Sequence, residues 1–382
     1  MKKKILFFTG SRADYGILKP LITKVIKKNY AKVELAAAGQ HFSKTFGNTY
    51  QQILKDKIKI NHRSKINLKK TNLSDIIKYL SKSLLDYYKI LNKTKPNLVV
   101  ILGDRYEVFC FAVACYLLNI RIAHLHGGEL TYGAFDDGLR HSITKLSDFH
   151  FVSHLTYKKR VIQLGENPKK VFNVGALAMD NMNEKDLCSK DFLLKKFNIK
   201  TNKKLALVTF HPVTKNNDKY KTQVKNFLDA LKQVDYYYIF TYNNSDTLGK
   251  DFIKKIIKFS NVNKNSKVFK TLGTKLYLSF IKHSDLVVGN SSSGIYEAPA
   301  LKTVTLNVGN RQEGRIFGPS IINCKNETKE IANKLKKIYN KKIKVNFKNL
   351  FYKKDVSGAI TNEIKKIINK KLEMKKFYDI KF

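Results

Sequence analysis

The 22 residues from His124 to Lys145, HLHGGELTYGAFDDGLRHSITK, hold the densest reactive chemistry in the chain. Three histidines, Glu129, the adjacent Asp136 and Asp137, and Arg140 surround a Gly-Gly turn, directly after the short run Ile120 to Ala123. Removing a proton from a carbon acid needs a carboxylate base and a partner for the group that leaves, and residues of both kinds are present. The plainer reading is helix capping by Asp136 and Asp137, with Asp136–Arg140 and Asp137–His141 as i, i+4 surface pairs. A metal site is not indicated, because His124 and His126 lie i, i+2 without a matching cluster.

Other polar motifs follow apolar runs. Thr9-Gly10-Ser11-Arg12-Ala13-Asp14 forms a strand-to-helix turn suited to an anion, but it lacks GxGxxG and GK[ST] and so speaks against NAD and ATP. Leu102-Gly103-Asp104-Arg105 ends an apolar run, with Asp104 either facing a ligand or capping a helix. Further on come Phe210-His211-Pro212-Val213-Thr214, then Tyr242 to Asp246, then Gly289-Asn290-Ser291-Ser292-Ser293-Gly294 with Glu297 one turn later. A Ser-rich helix start offers N–H groups and hydroxyls to phosphates, and a Glu a turn on can accept from ribose hydroxyls. The polar loop Gly309 to Arg315 could clamp an anion.

The elements that must position these groups alternate. Strands are expected at Lys4–Thr9, Val33–Ala38, Asn97–Leu102, Arg121–His124 and His150–Val152. Helices are expected at Asp14–Lys28, Leu73–Leu91, Arg105–Leu118 and Asp136–Leu146. After a polar break at Met179–Lys190 the alternation restarts. Strands are expected at Leu205–Phe210, Tyr236–Thr241, Lys267–Lys270, Leu286–Gly289 and Thr303–Asn307. Helices are expected at Lys221–Gln233, Asp246–Phe259, Thr274–Lys282, Gly294–Ala300, Glu327–Tyr339 and Ala359–Met374. The pattern predicts α/β architecture: two Rossmann-like doubly wound domains with an interdomain cleft, ligands lying beyond the carboxyl ends of the strands. The expected boundaries are 1–180 for the first domain, 181–355 for the second, and 356–382 for a helix and basic tail packing back towards the first domain.

Composition narrows the class. With 382 residues and 43% hydrophobic content the chain can bury two cores, and no stretch is long and apolar enough for a transmembrane helix. The basic, apolar start imitates a signal peptide, but its run is too short and reads as a first strand. Cys110, Cys115, Cys188 and Cys324 show no metal spacing and are expected to be reduced and buried, in a cytoplasmic protein. The net charge is +43, yet only eight of 73 basic residues are Arg, and Lys is spread along the whole length. Solvated faces written by an AT-rich genome account for that better than specific nucleic-acid recognition. Polyanion binding stays as an alternative of another class. Where Lys supplies plain charge, the rare Arg mark places needing a planar fork, and five of the eight fall in the motifs above.

SRADYG, GDR, HGGE, FDDGLRHSITK, HPVT, GNSSSG with its Glu, and NRQEGR occur in that order. Together they resemble the hydrolysing UDP-N-acetylglucosamine 2-epimerases of sialic- and legionaminic-acid biosynthesis, from about Lys4 to Asn362. The resemblance implies a glycosyltransferase-B-like fold, no cofactor, a nucleotide sugar as the small-molecule partner, and a homodimer or homotetramer. The implied reaction is anti-elimination to a 2-acetamidoglycal followed by hydration, giving N-acetylmannosamine and UDP. Carried over by position, Arg12, Arg105, His211, Asn244, Asp246, Ser291, Ser292, Glu297 and Arg311 would bind the nucleotide. Asp104, Glu129, Asp136, Asp137 and Arg140 would line the sugar site. Animal members carry a catalytic Glu where this chain has His126. His126 can carry a proton near neutral pH and replace it, with Glu129 or Asp136 as the alternatives. A close relative within the branch acts on a UDP- or GDP-linked 2,4-diacetamido-2,4,6-trideoxyhexose, and Tyr132 is a candidate sensor of the differing groups. The non-hydrolysing epimerases, similar in fold, are a further alternative.

Overall fold

The structure, a computed structural model, describes residues 2–43, 47–64, 66, 73–132, 135–182, 184–211, 220–242, 249–371 and 373–380. It divides into two compact units. One comprises Met1–Glu129, Asp136–Asp180 and Lys353–Phe382, the other Leu130–Phe135 and Asn181–Tyr352.

The first unit is a seven-stranded parallel sheet. Its strands are β1 (Lys4–Thr9), β2 (Lys32–Ala37), β3 (His62–Arg63), β4 (Leu98–Leu102), β5 (Ile122–Leu125), β6 (Phe149–Val152) and β7 (Val171–Asn173). Their spatial order is β3-β2-β1-β4-β5-β6-β7. The connecting helices are α1 (Arg12–Lys28), α2 (Tyr50–Lys55), α3 (Leu73–Thr94), α4 (Tyr106–Leu117), α5 (Asp136–Leu146) and α6 (Leu155–Gln163). Side chains alternate across a strand, so β1 serves two cores. Ile5 and Phe7 pack with Leu18, Ile22 and Val25 of α1, while Leu6 and Phe8 pack with Tyr87 of α3 and Phe111 of α4. All five residues of β4 are buried, as expected of a strand covered on both faces. The strand order reverses between β1 and β4, which places the ligand crevice of this unit at their carboxyl ends.

The second unit begins with α7 (Lys190–Lys196) and holds a six-stranded parallel sheet. Its strands are β8 (Leu205–Thr209), β9 (Tyr237–Thr241), β10 (Ser266–Phe269), β11 (Leu286–Gly289), β12 (Thr305–Val308) and β13 (Ile321–Cys324). The order β10-β9-β8-β11-β12-β13 puts the reversal between β8 and β11. Its helices are α8 (Tyr220–Leu231), α9 (Gly249–Val262), α10 (Gly273–His283), α11 (Ser293–Ala300) and α12 (Thr328–Tyr339). The chain then returns to the first unit as α13 (Val356–Asn369), whose Val356, Ile360, Ile364 and Ile367 join the core beside α1.

Several expected boundaries move for identifiable reasons. Helix α1 starts at Arg12 rather than Asp14, because Ser11 and Asp14 form a reciprocal capping box. Helix α13 ends at Asn369, and Lys370, Lys371, Glu373 and Met374, expected to continue it, are not helical. The edge strands β3, β7 and β13 and the short helices α2, α6 and α7 carry too few periodic positions to stand out. Cys110, Cys115 and Cys324 are buried, but Cys188 is only partly so. Among the described residues no helix is long and apolar enough to cross a membrane.

Gly289, at the end of β11, has φ +138°, and a Cβ there would lie 2.0 Å from the Thr209 carbonyl oxygen of β8. A Gly289→Ala variant is therefore expected to lose about 3 kcal/mol of stability, read as a lower thermal midpoint. An unchanged midpoint would contradict so close an approach of the two strands.

Candidate active site

Arg140 organises the first unit's site. It lies on α5 with 1% of its side chain exposed. Its Nη1 donates to the Glu129 carbonyl at 2.8 Å, and its Nη2 donates to the Asp104 carboxylate. Asp137 Oδ1 lies 3.6 Å from Nη1 and Asp137 Oδ2 3.8 Å from His141 Nε2. The Asp137–His141 pair is therefore present, and Arg140 meets Asp137 on its own helix, at i, i+3. Asp104 does not cap α4: Arg105 occupies the cap position, with extended backbone and no side-chain cap bond. Asp104 instead meets Arg140.

Glu129 is buried at 3% exposure. Its Oε1 lies 3.0 Å from His126 Nδ1 and accepts from Ser153 Oγ at 3.3 Å. The Leu177 N–H donates to His126 Nε2 at 3.4 Å, so Nδ1 is the nitrogen that donates to Glu129. His126 sits at φ +64°, a left-handed backbone that turns the ring towards Glu129. His124 is a packing residue: Nε2 meets the Gly103 carbonyl at 2.7 Å and Nδ1 meets Thr144 Oγ1 at 3.2 Å. Burial pushes its pKa down to about 3, so it is neutral.

Arg105 donates from Nε to Glu107 Oε2 at 3.3 Å and stacks against the Tyr106 ring. Asp136, the first residue of α5, and Asp14 also act electrostatically on Arg105 and hold its proton more firmly. Burial raises the carboxyl pKa values of both Glu107 and Asp14. Arg12 opens α1, half-buried. The structure thus gathers Asp104, His126, Glu129, Asp137 and Arg140 into one bonded set, and puts Arg105 and Asp136 within electrostatic reach of each other.

In the second unit Asn290 is the hub. Its Oδ1 accepts the His211 N–H at 2.6 Å and its Nδ2 donates to the His211 carbonyl at 2.8 Å. Its own carbonyl accepts from Arg311 Nη1 at 3.1 Å and from Gln312 Nε2 at 2.7 Å. His211, Ser291 and Arg311 are therefore fixed around the ends of β8, β11 and β12. Ser292 is the cap residue of α11, yet its side chain makes no capping bond. Ser291 Oγ accepts from the Ser293 N–H at 3.4 Å and from Ser293 Oγ at 3.1 Å. Glu297 lies one turn into α11, its Oε2 buried without a hydrogen-bond partner. Arg315 is occupied inside this unit by the Leu130 carbonyl and Thr131 Oγ1. Asn244 and Asp246, with Pro212 to Thr214, lie outside the described residues.

Sequence reasoning quoted Asn290, Gln312 and Thr144 within their motifs but gave them no role, and it overlooked Glu107 and Ser153. Asn290 was findable from its place beside Ser291. The others act through contacts that no spacing announces.

Burial raises the Glu297 carboxyl from 4.5 to about 7, with its backbone and Arg315 pulling the other way. The folded state then keeps a proton that the unfolded state releases, so stability falls as pH rises from about 4.5 through about 7 and is flat above. Relative to Glu297→Gln, the wild type should lose stability across that window in guanidinium titrations. Parallel pH curves for the two proteins would rule out the raised pKa.

The family model for UDP-N-acetylglucosamine 2-epimerase matches residues 23–365. GDP/UDP-N,N'-diacetylbacillosamine 2-epimerase (hydrolyzing) of Campylobacter jejuni is 38% identical over 351 residues, 90% of each chain. Polysialic acid biosynthesis protein P7 of Escherichia coli is 37% identical over 332 residues, 86% of this chain and 84% of its own. The structure is similar to UDP-GlcNAc 2-epimerase from Neisseria meningitidis bound to UDP-GlcNAc, with TM-score 0.81 and 18% identity, covering 95% of this chain and 100% of that one. The fold is glycosyltransferase-B-like. With its family model matched over most of its length and relatives of this identity and coverage, the chain belongs to the UDP-N-acetylglucosamine 2-epimerase family.

Proposed function

We propose that the chain is a hydrolysing sugar-nucleotide 2-epimerase acting on a nucleoside-diphosphate-linked 2-acetamido sugar, with UDP-N-acetylglucosamine as the reference substrate. The observation that carries this reading is the set of carboxylates converging on buried Arg140 at the ends of β4 and β5. The C2 proton passes to a carboxylate while the C1–O bond breaks, its electron pair leaving with the nucleoside diphosphate, and a C1–C2 double bond forms. Water then adds hydroxyl to C1 and a proton to C2 from the other face, releasing the free 2-epimer.

Asp104 is the base in this reading. Its side chain keeps 23% exposure beside Arg140, whereas that of Glu129 keeps 5%. Glu129 acts through His126, whose side chain is 14% exposed, to orient the ring that returns the proton. Ser291, Ser292, His211 and Arg311 serve the diphosphate and Glu297 the ribose, while Arg12 and Arg105 are assigned to the nucleotide by the motifs they stand in. Asn244 and Asp246 remain assigned to the nucleotide by the motif they stand in.

A second reading, the same reaction on a UDP- or GDP-linked 2,4-diacetamido-2,4,6-trideoxyhexose, is favoured by the 38% identity to the Campylobacter jejuni GDP/UDP-N,N'-diacetylbacillosamine 2-epimerase (hydrolyzing). One experiment addresses both: incubation with each sugar nucleotide in deuterated water, followed by NMR. The expected products are free nucleoside diphosphate and a 2-epimer carrying deuterium at C2. A product that still carries its nucleotide would indicate a non-hydrolysing epimerase, and no turnover of any of them would sink the proposal. Asp104→Asn should lower kcat by about 10³-fold with nucleotide affinity retained. Near-normal turnover in that variant would remove Asp104 as the base.

A further inference from the structure

Beyond α13 the chain lies back along the first unit as a strap, Glu373 to Ile380, in which Lys375 alone is half-buried and the rest are exposed. The Lys375 ammonium donates to the Lys145 carbonyl at 2.7 Å and the Ser147 carbonyl at 2.6 Å, and it reaches Glu166 Oε2 at 2.8 Å. Three N–H groups meet three acceptors, so the cation is saturated. Two of those acceptors are carbonyls at the end of α5, where a helix leaves acceptors unsatisfied and carries partial negative charge. Glu166 is held in turn by Lys145 at 2.7 Å and by His150 Nε2 at 2.9 Å.

Two further contacts fix the strap. The Tyr378 N–H donates to the Gly165 carbonyl at 2.9 Å. The Phe377 ring lies over Gly165 so closely that a Cβ there would stand 2.2 Å from it, and the Lys145 ammonium sits 4.9 Å from the same ring.

Helix α5 is the element that carries Asp136, Asp137 and Arg140. Thr144, beside the gripped turn, places its Oγ1 3.2 Å from His124 Nδ1 and 3.0 Å from the Arg140 carbonyl, two acceptors that share its one hydroxyl proton. We propose that the strap is a positioning element for the acid–base site, and that Lys375, by gripping the last turn of α5, sets where Arg140 holds Asp104 and the Glu129 carbonyl. Lys375 touches no reacting atom in this scheme. The kinetic consequence rests on the proposed epimerase reaction, but the mechanical one does not.

The test uses the full chain with Lys375→Met, the second variant Phe377→Ala, and Lys376→Met as a control on an exposed neighbour. Phe377 is 65% exposed, so its loss should not prevent folding. Amide hydrogen exchange over residues 138–147 should quicken about tenfold in both strap variants and not in the control, as expected for a turn that has lost its cap. The second readout is the ratio of released 2-acetamidoglycal to 2-epimer, which does not depend on the fraction of protein folded. It should rise about tenfold when α5 is misplaced, and Lys375→Arg should recover part of it. Unchanged exchange overturns the grip. Quickened exchange with an unchanged ratio overturns the positioning role and leaves a stability contact. If the wild type turns over no sugar nucleotide, the epimerase reading fails, and the exchange result alone decides whether the strap holds α5.

Discussion

A guanidinium with almost no exposed surface has no water to hold its charge, and burying a permanent cation is costly unless every donor finds an acceptor. Arg140 is in that position. Its partners come from three places: Asp104 after β4, the Glu129 carbonyl between β5 and α5, and Asp137 on its own helix. Satisfying one side chain therefore locates two loops and a helix start relative to one another. The same arrangement brings the carboxylates together as a by-product of solvating the arginine, so the local chemistry and the local stability share one cause.

The second unit reaches a comparable result without a buried charge. Asn290 uses both ends of its amide on the His211 backbone, and its carbonyl gathers Arg311 and Gln312. An amide gives direction at less desolvation cost than an ion. Under the proposed function, that suits a place where the charges are to come from a phosphate-bearing ligand. Glu297, buried and proton-retaining near neutrality, fits the same economy of charge.

Much of this was legible because the strands and helices that flank the site are long and periodic. The residue limits of β1, α5 and β11 could be read from apolar runs and turn residues alone. Asp104 could be placed at the end of a buried strand, but its partner could not. Whether Arg140 meets Asp136 or Asp137 depends on the bend of a side chain towards a third loop, not on spacing along a helix. The edge strands β3, β7 and β13 escaped notice, whereas the edge strand β10 was legible. Lys375 was invisible for a different reason. It sits in a lysine-rich tail whose composition does not distinguish it from Lys371 or Lys376, and only the three acceptors around it set it apart.

His126 carries one consequence beyond its bonds. Its backbone is left-handed, at φ +64°, a conformation that costs an ordinary side chain roughly 1 kcal/mol and a β-branched one more. Histidine, asparagine, aspartate and glycine tolerate it best. Under the proposed function, the residue that stands here is filtered twice, once by what proton chemistry asks of its tip and once by what the main chain allows at its root. A glutamate in its place would meet the first demand but would bear the main-chain cost without the tolerance that histidine has.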